Sequence, residues 1–272
     1  FGSKAGQSVI EQTPLFHGGG MYLLAYHLED CDNHLSKTLK YRDQNKDRNS
    51  EHVKGKNYSM LWAGNYFGTG KLDSCEQSKQ VFNDYILLLN EYGMNMYDST
   101  IRTWIYVRDI DNHYQGLVDS RKVLFEKYNL NKDTRYIAST GIEGKSKLHN
   151  SLVTMDALSF GGLDEGQIIR MEAPGYMGPT IDYGVTFERA TRVKFGDRSH
   201  FYISGTASID ESGNVMHNYD AASQAKRAII NVEQLMKQQG ATLLDMAYYI
   251  VYLRSTHDVN KVENVLSLYL PD

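Results

Sequence analysis

Catalysis by a side-chain nucleophile, a metal or a phosphate loop needs particular residues at particular spacings, and this 272-residue chain holds few of them. His17-Gly-Gly-Gly20 resembles an esterase oxyanion loop, but no Gly-x-Ser-x-Gly elbow exists to present a serine to it, so the run reads as a turn. His17, His27 and His34 with Cys31 fit no standard ligand spacing. Gly68-Thr-Gly70 lacks the lysine and the spacing of a phosphate loop. No metal and no organic cofactor is expected. What remains is arginine and carboxylate chemistry. Arg135 opens the run Arg135-Tyr-Ile-Ala-Ser139, and Glu143 and Asp156 are the acids of the first half nearest to it in sequence. Either acid could serve as general acid or base if a cleft adjusts its pKa. Arg189 could hold an anion, or pair with Glu188 or Asp182. Phe187, Trp104 and Tyr106 alternate with smaller residues on strands, a pattern more often of core packing than of stacking platforms.

The elements that must position these residues come in two similar sets. In the second half, Phe201-Tyr-Ile-Ser-Gly205 reads as a strand and Asp210-Glu-Ser-Gly-Asn214 as a turn. Ala225, Ala228, Ile229, Val232, Leu235 and Met236 then recur at helical spacing, with Gly240 placed to end the helix. Ala247 to Leu253 reads as a strand, and Val259, Val262, Val265, Leu266 and Tyr269 as a second helix. The first half repeats this order. Ser59 to Gly64 is a strand, and Ser74-Cys-Glu-Gln77 has capping-box form. A helix stripe runs from Val81 to Tyr92 and ends at Gly93. The Gln77-to-Gly93 and Gln224-to-Gly240 intervals are equal, at sixteen residues. The next strands end alike, as Tyr106-Val-Arg108 and Tyr252-Leu-Arg254, a repetition that suits structural arginines. A helix from about Gly116 to Tyr128 follows. The first unit continues with strands at 135–139 and 152–160, whereas the second stops at Pro271-Asp272. The expectation is that the natural chain runs on and supplies the closing strands. The units are therefore 1–162, with the polar run 36–57 as a mobile loop insertion, and 163–272.

Composition narrows the function classes. A hydrophobic share of 41%, a charged share of 23% and a net charge of -4 describe an ordinary globular protein without a basic footprint, so nucleic acid is a poor partner. No apolar run approaches a membrane span, and the start lacks a signal-peptide pattern. Cys31 and Cys75 make neither a disulfide framework nor a CxxC pair, so a reducing, cytoplasmic setting fits.

Phe201-Tyr-Ile-Ser-Gly-Thr-Ala-Ser-Ile-Asp210, Gln224, Gly240-Ala241 and Val251-Tyr-Leu-Arg254 together resemble the signature of the RidA/YjgF family. The tandem form, with Phe187-Glu-Arg-Ala-Thr191 and Arg102-Thr-Trp-Ile-Tyr-Val107, is similar to the chorismatases. The resemblance implies an α/β (α+β) fold of two tandem units, each a mixed sheet backed by helices. It also implies homotrimeric or pseudo-trimeric packing, with clefts that bind small carboxylates without a cofactor. In the RidA branch an Arg before the penultimate strand grips the carboxylate, and Arg135 matches it. A Glu on the final strand usually positions water; its place holds Thr154, with Asp156 two residues on and on the same face. Phe187 lies near the family's cleft aromatic, and Gly205 and Thr206 at a strand end where backbone meets substrate.

These expectations favour a hydrolase acting on an enamine, imine or enolpyruvyl carboxylate. A non-catalytic metabolite-binding protein is the reading from a different class, which Thr154 at the Glu position supports. Endoribonuclease activity, a label common in this family, is disfavoured by the charge.

Overall fold

The computed structural model describes residues 5–12, 23–30, 34–41 and 47–270; His17-Gly-Gly-Gly20 and Cys31 lie outside the described residues. Unit one is a six-stranded sheet of order β1-β2-β3-β6-β4-β5. Its strands are β1 (Ser36–Tyr41), β2 (Asn49–Lys54), β3 (Ser59–Phe67), β4 (Thr100–Val107), β5 (Ala138–Glu143) and β6 (Val153–Gly161). All neighbours are antiparallel except β4 and β5, which are parallel because helix α3 (Ile110–Lys127) carries the chain between them. Helix α1 (Ser74–Glu91) lies beside α3 and the short α2 (Met96–Ser99) precedes β4. The core forms where the stripe Val81, Phe82, Tyr85, Leu88 and Leu89 of α1 meets Leu61, Ile105, Met155 and Ala157 of the sheet.

Two expectations for unit one are corrected. The polar run 36–57 is not a mobile loop: its described parts form the antiparallel pair β1 and β2 at one side of the sheet. Lys37, Thr38 and Lys40 suit an edge strand, where charge discourages pairing with other chains, and composition alone reads such a strand as a loop. The expected capping box gives way to Asp73, whose carboxylate accepts the Glu76 N–H at 2.9 Å. Gln77 is instead a buried tie: its amide donates to Asn150 O (2.8 Å) and its carbonyl accepts Leu152 N–H (2.7 Å), fixing α1 to the start of β6. The strand expected at 135–139 starts later, at Ala138, and α3 begins six residues earlier than its apolar stripe suggests.

Unit two contains a three-stranded sheet of order β7-β8-β9: β7 (Ile168–Met171), β8 (Ala190–Lys194) and β9 (Ser199–Ile203). Helices α4 (Ala221–Lys237) and α5 (Val259–Tyr269) follow. The repeat is visible down to the helix ends. Gly93 N–H reaches Asn90 O while Met94 N–H reaches Leu89 O; Gly240 N–H reaches Lys237 O while Ala241 N–H reaches Met236 O. Both glycines take positive φ, +67° and +73°, which a side chain would disfavour.

The expected strand at 247–253 does not form. In unit one β6 stands between β3 and β4 and bonds to both. Among the described residues of unit two no strand holds that place, so Tyr248 to Tyr252 run without a ladder and largely exposed.

The units meet along two surfaces. Part of the helix-free face of the first sheet (Met60, Leu158, Phe160) packs on Val193 and Phe195. The free edge of β5 is joined by backbone bonds from unit two, Glu188 N–H to Ile137 O (3.2 Å) and Gly205 N–H to Ser139 O (3.1 Å).

Candidate active site

Side chains alternate along a strand, so Arg102, Trp104 and Tyr106 of β4 share one face, while Thr103, Ile105 and Val107 point toward the helices. The first three lie on the helix-free face. On β6 their partners are Leu158, Asp156 and Thr154, and on β5 they are Ala138, Thr140 and Ile142. Arg102 and Asp156 are thus diagonal neighbours on adjacent strands, with Cβ atoms roughly 7–8 Å apart for that relation.

Asp156 is held by an irregularity of the backbone. The pairing of β3 with β6 slips between Ala63 and Tyr66, and the bulged Asn65 takes φ +60°, a conformation that asparagine tolerates better than most residues. Its N–H is thereby aimed at Asp156 Oδ1, 2.7 Å away. Burial pushes the Asp156 carboxyl up to about 6, against the lowering effect of the Asn65 N–H and the nearby Ser8 hydroxyl. A carboxyl poised there can take and return a proton near neutral pH.

Arg102 is 5% exposed, and burial draws its pKa down to about 10. Its guanidinium donates to Thr103 O (2.9 Å) and to Thr140 Oγ1, and lies 4.9 Å from the Trp104 ring centre. Both hydrogen-bond partners are neutral. The phenols of Tyr248, Tyr252 and Tyr106 are near enough to favour its charge, so the unpaired stretch of unit two borders this face. Tyr106 connects the two ends: its pKa is raised by burial and by Asp156, and lowered by Arg102. Trp62 stacks on Trp104 at 5.8 Å and walls one side.

The residues expected from sequence divide among four places. Asp156 lies in the site just described, with Thr154 on the same face opposite Tyr106. Gly205 adjoins it, since a Cβ there would meet Thr140 Cγ2 at 3.2 Å; the Thr206 hydroxyl turns back to Ser204 O (3.0 Å). Phe187 and Arg189 line a separate cavity of about 150 Å³, and both Nε and Nη2 of Arg189 donate to Gly178 O. Arg135 is buried with its nitrogens on Tyr136 O, Tyr97 O and Thr100 O, and Glu188 Oε1 3.9 Å away. Those partners occupy the fork that was expected to hold a substrate. Glu143 accepts the N–H groups of Asp109 (3.1 Å) and Ile110 (2.7 Å), capping α3 where Asp109 supplies no side-chain cap. The arginine that the sequence reading missed is Arg102. Its signal was the i, i+2, i+4 spacing of Arg102, Trp104 and Tyr106, which places a guanidinium on an aromatic face of a strand.

Fold and site together define the class of molecule: a tandem of two RidA/YjgF-like units, with a carboxyl and an arginine on the helix-free face of the first. No protein-family profile matches the chain. A solved chorismatase structure matches it with a TM-score of 0.66 and 20% identity, covering 82% of this chain and 70% of that one, which shows a shared fold. In sequence it is similar to 3-aminoacrylate deaminase RutC of Acinetobacter baylyi, 28% identical over 71 residues, 26% of this chain and 56% of the relative. It is also similar to a RutC family protein of Pyrococcus abyssi, 33% identical over 69 residues, 25% of this chain and 54% of the relative. The chain spans about half the length of the curated relatives it matches.

Proposed function

We propose that the protein is a hydrolase of small carboxylate-bearing metabolites, with an imine or enamine acid as its substrate class. The observation that carries this reading is the pairing, on one strand face, of a carboxyl poised at about 6 with a buried arginine bonded only to neutral groups. Arg102 receives the substrate carboxylate, whose negative charge offsets the cost of keeping a guanidinium away from water. The ring faces of Trp104 and Trp62 border the substrate's carbon skeleton. Asp156, ionised, takes a proton from water as the water oxygen bonds to the imine carbon. It returns that proton to the nitrogen as the carbon–nitrogen bond breaks, which leaves a keto acid and ammonia. Electrons and protons balance without an oxidant or a cofactor. The similarity to an aminoacrylate deaminase supports this substrate class, and the chorismatase fold keeps an enolpyruvyl acid as the second compound to assay. By the same resemblance the chain assembles as a homotrimer or pseudo-trimer in a cytoplasmic setting.

The test is a pH profile of hydrolysis. With Asp156 as base, kcat/KM rises with pH through about 6 and then levels, and Asp156→Asn removes both the limb and most of the rate. Turnover by the Asn variant at the wild-type rate would sink the assignment, and binding without turnover of either acid would favour a metabolite-binding protein.

A further inference from the structure

A second arginine on the far side of β5 has the same unusual surroundings. Arg121 of α3 is 2% exposed. Its Nε donates to Thr186 Oγ1 (3.2 Å) and Nη1 to Ser139 Oγ (3.4 Å), while Nη2 is buried without a hydrogen-bond partner. Other arginines of this chain show how the fold uses them structurally. Arg135 and Arg108 each bond to three backbone carbonyls, and Arg189 is spent on Gly178 O. Arg121 bonds to no carbonyl and no carboxylate among the described residues. A buried guanidinium left that way is costly unless something else neutralises it.

Its neighbours say what that would be. The rings of Phe125 and Phe187 lie 5.9 Å and 6.0 Å from the guanidinium carbon, and Thr186 and Ser139 offer hydroxyls. Phe187 also borders the cavity of about 150 Å³, so rotation of that ring lends space to the site. Tyr114 lies near Arg121 and near Tyr183, which is 38% exposed, and these two rings mark the side open to solvent. We propose that Arg121, with Thr186, Ser139 and Phe187, forms a second anion site at the seam of the two units, built for a small organic carboxylate. Planar, forked donors beside aromatic rings favour a carboxylate over a strongly hydrated phosphate. Thr186 and Phe187 come from unit two and Arg121 from unit one, so the ligand bridges the units.

The experiment follows arginine Nε–H resonances in 15N-arginine-labelled protein carrying Arg102→Met, which silences the first site. Acetate shifts the Arg121 resonance saturably, and inorganic phosphate at equal ionic strength leaves it in place. Arg121→Lys weakens acetate binding by about tenfold or more, because the charge stays and the fork is lost. Arg121→Met abolishes it while melting no lower than its parent, since an apolar replacement of an uncompensated charge does not cost stability. If Arg121→Met fails to fold, Arg121→Lys decides. No acetate response in the Arg102→Met protein, an undiminished response in Arg121→Lys, or an equal response to phosphate overturns the site, and none of these outcomes bears on Asp156.

Discussion

Asp156 sets function against stability, and the sign can be worked out. Its folded-state pKa, about 6, lies above the unfolded value of 3.8, so the folded chain holds that proton more tightly. Stability therefore falls as pH rises from about 4 to about 6, and above that range the ionised carboxylate weighs against the fold. Asp156→Asn should raise stability at about pH 7.5 by roughly 1–3 kcal/mol and change it little at about pH 4. Urea titrations at the two pH values check this; an Asn variant less stable than wild type at the higher pH would show that the carboxylate is well solvated. Arg102→Lys keeps the charge but loses the fork, so KM for the acid substrate should rise by an amount equivalent to about 1.5–3 kcal/mol, with a smaller change in kcat. Steady-state kinetics beside a thermal melt separates this from unfolding. At this scale the sequence revealed the acid and not the arginine. Asp156 was found by its position on the last strand, whereas Arg135, an equally plausible candidate by type, is engaged by carbonyls of Tyr97 and Thr100 that lie far from it in sequence.

Among the elements, the helices were the most legible, because the stripe from Val81 to Leu89 and the glycines at 93 and 240 write both period and end into the chain. Strands were harder. β1 and β2 are polar because β1 forms an edge, and the apolar run at 247–253 has strand composition but no ladder, since a strand is made by its neighbours as much as by its residues. The bulge at Asn65 left no mark in the sequence that periodicity could find, yet it aims the N–H at Asp156. Glu143 illustrates how an element can claim a catalytic-looking acid. As the cap of α3 it should contribute about 1 kcal/mol, so Glu143→Ala lowers the melting temperature while leaving the pH limb near 6 unchanged. Loss of that limb in the Ala variant would return Glu143 to the chemistry.

For the molecule as a whole, the repeat predicted two units, and the seam between them is what sequence could not show. It depends on Arg135 approaching Glu188, on Ser139 N–H donating to Ser204 Oγ at 2.9 Å, and on Arg254 pairing with Asp111 at 2.7 Å, contacts that join residues from different units. The last pair is exposed on both sides, so Arg254→Ala should cost less than about 1 kcal/mol in a denaturant titration. A larger loss would make the pair a main fastening of the seam.

The joining of unit two to the edge of β5 bears on how the protein comes into being. A ribosome releases unit one first, with the backbone groups of Ile137 and Ser139 bare until residues 188 and 205 have been made. An uncovered strand edge invites pairing with the same edge of another nascent chain. Unit two is thus a covalently tethered chaperone for its twin, arriving late and staying. A fragment ending at Gly162 should form soluble aggregates during expression, and supplying residues 163–272 on a second polypeptide should suppress them. A monomeric, stable fragment in size-exclusion chromatography would show instead that the edge guards itself.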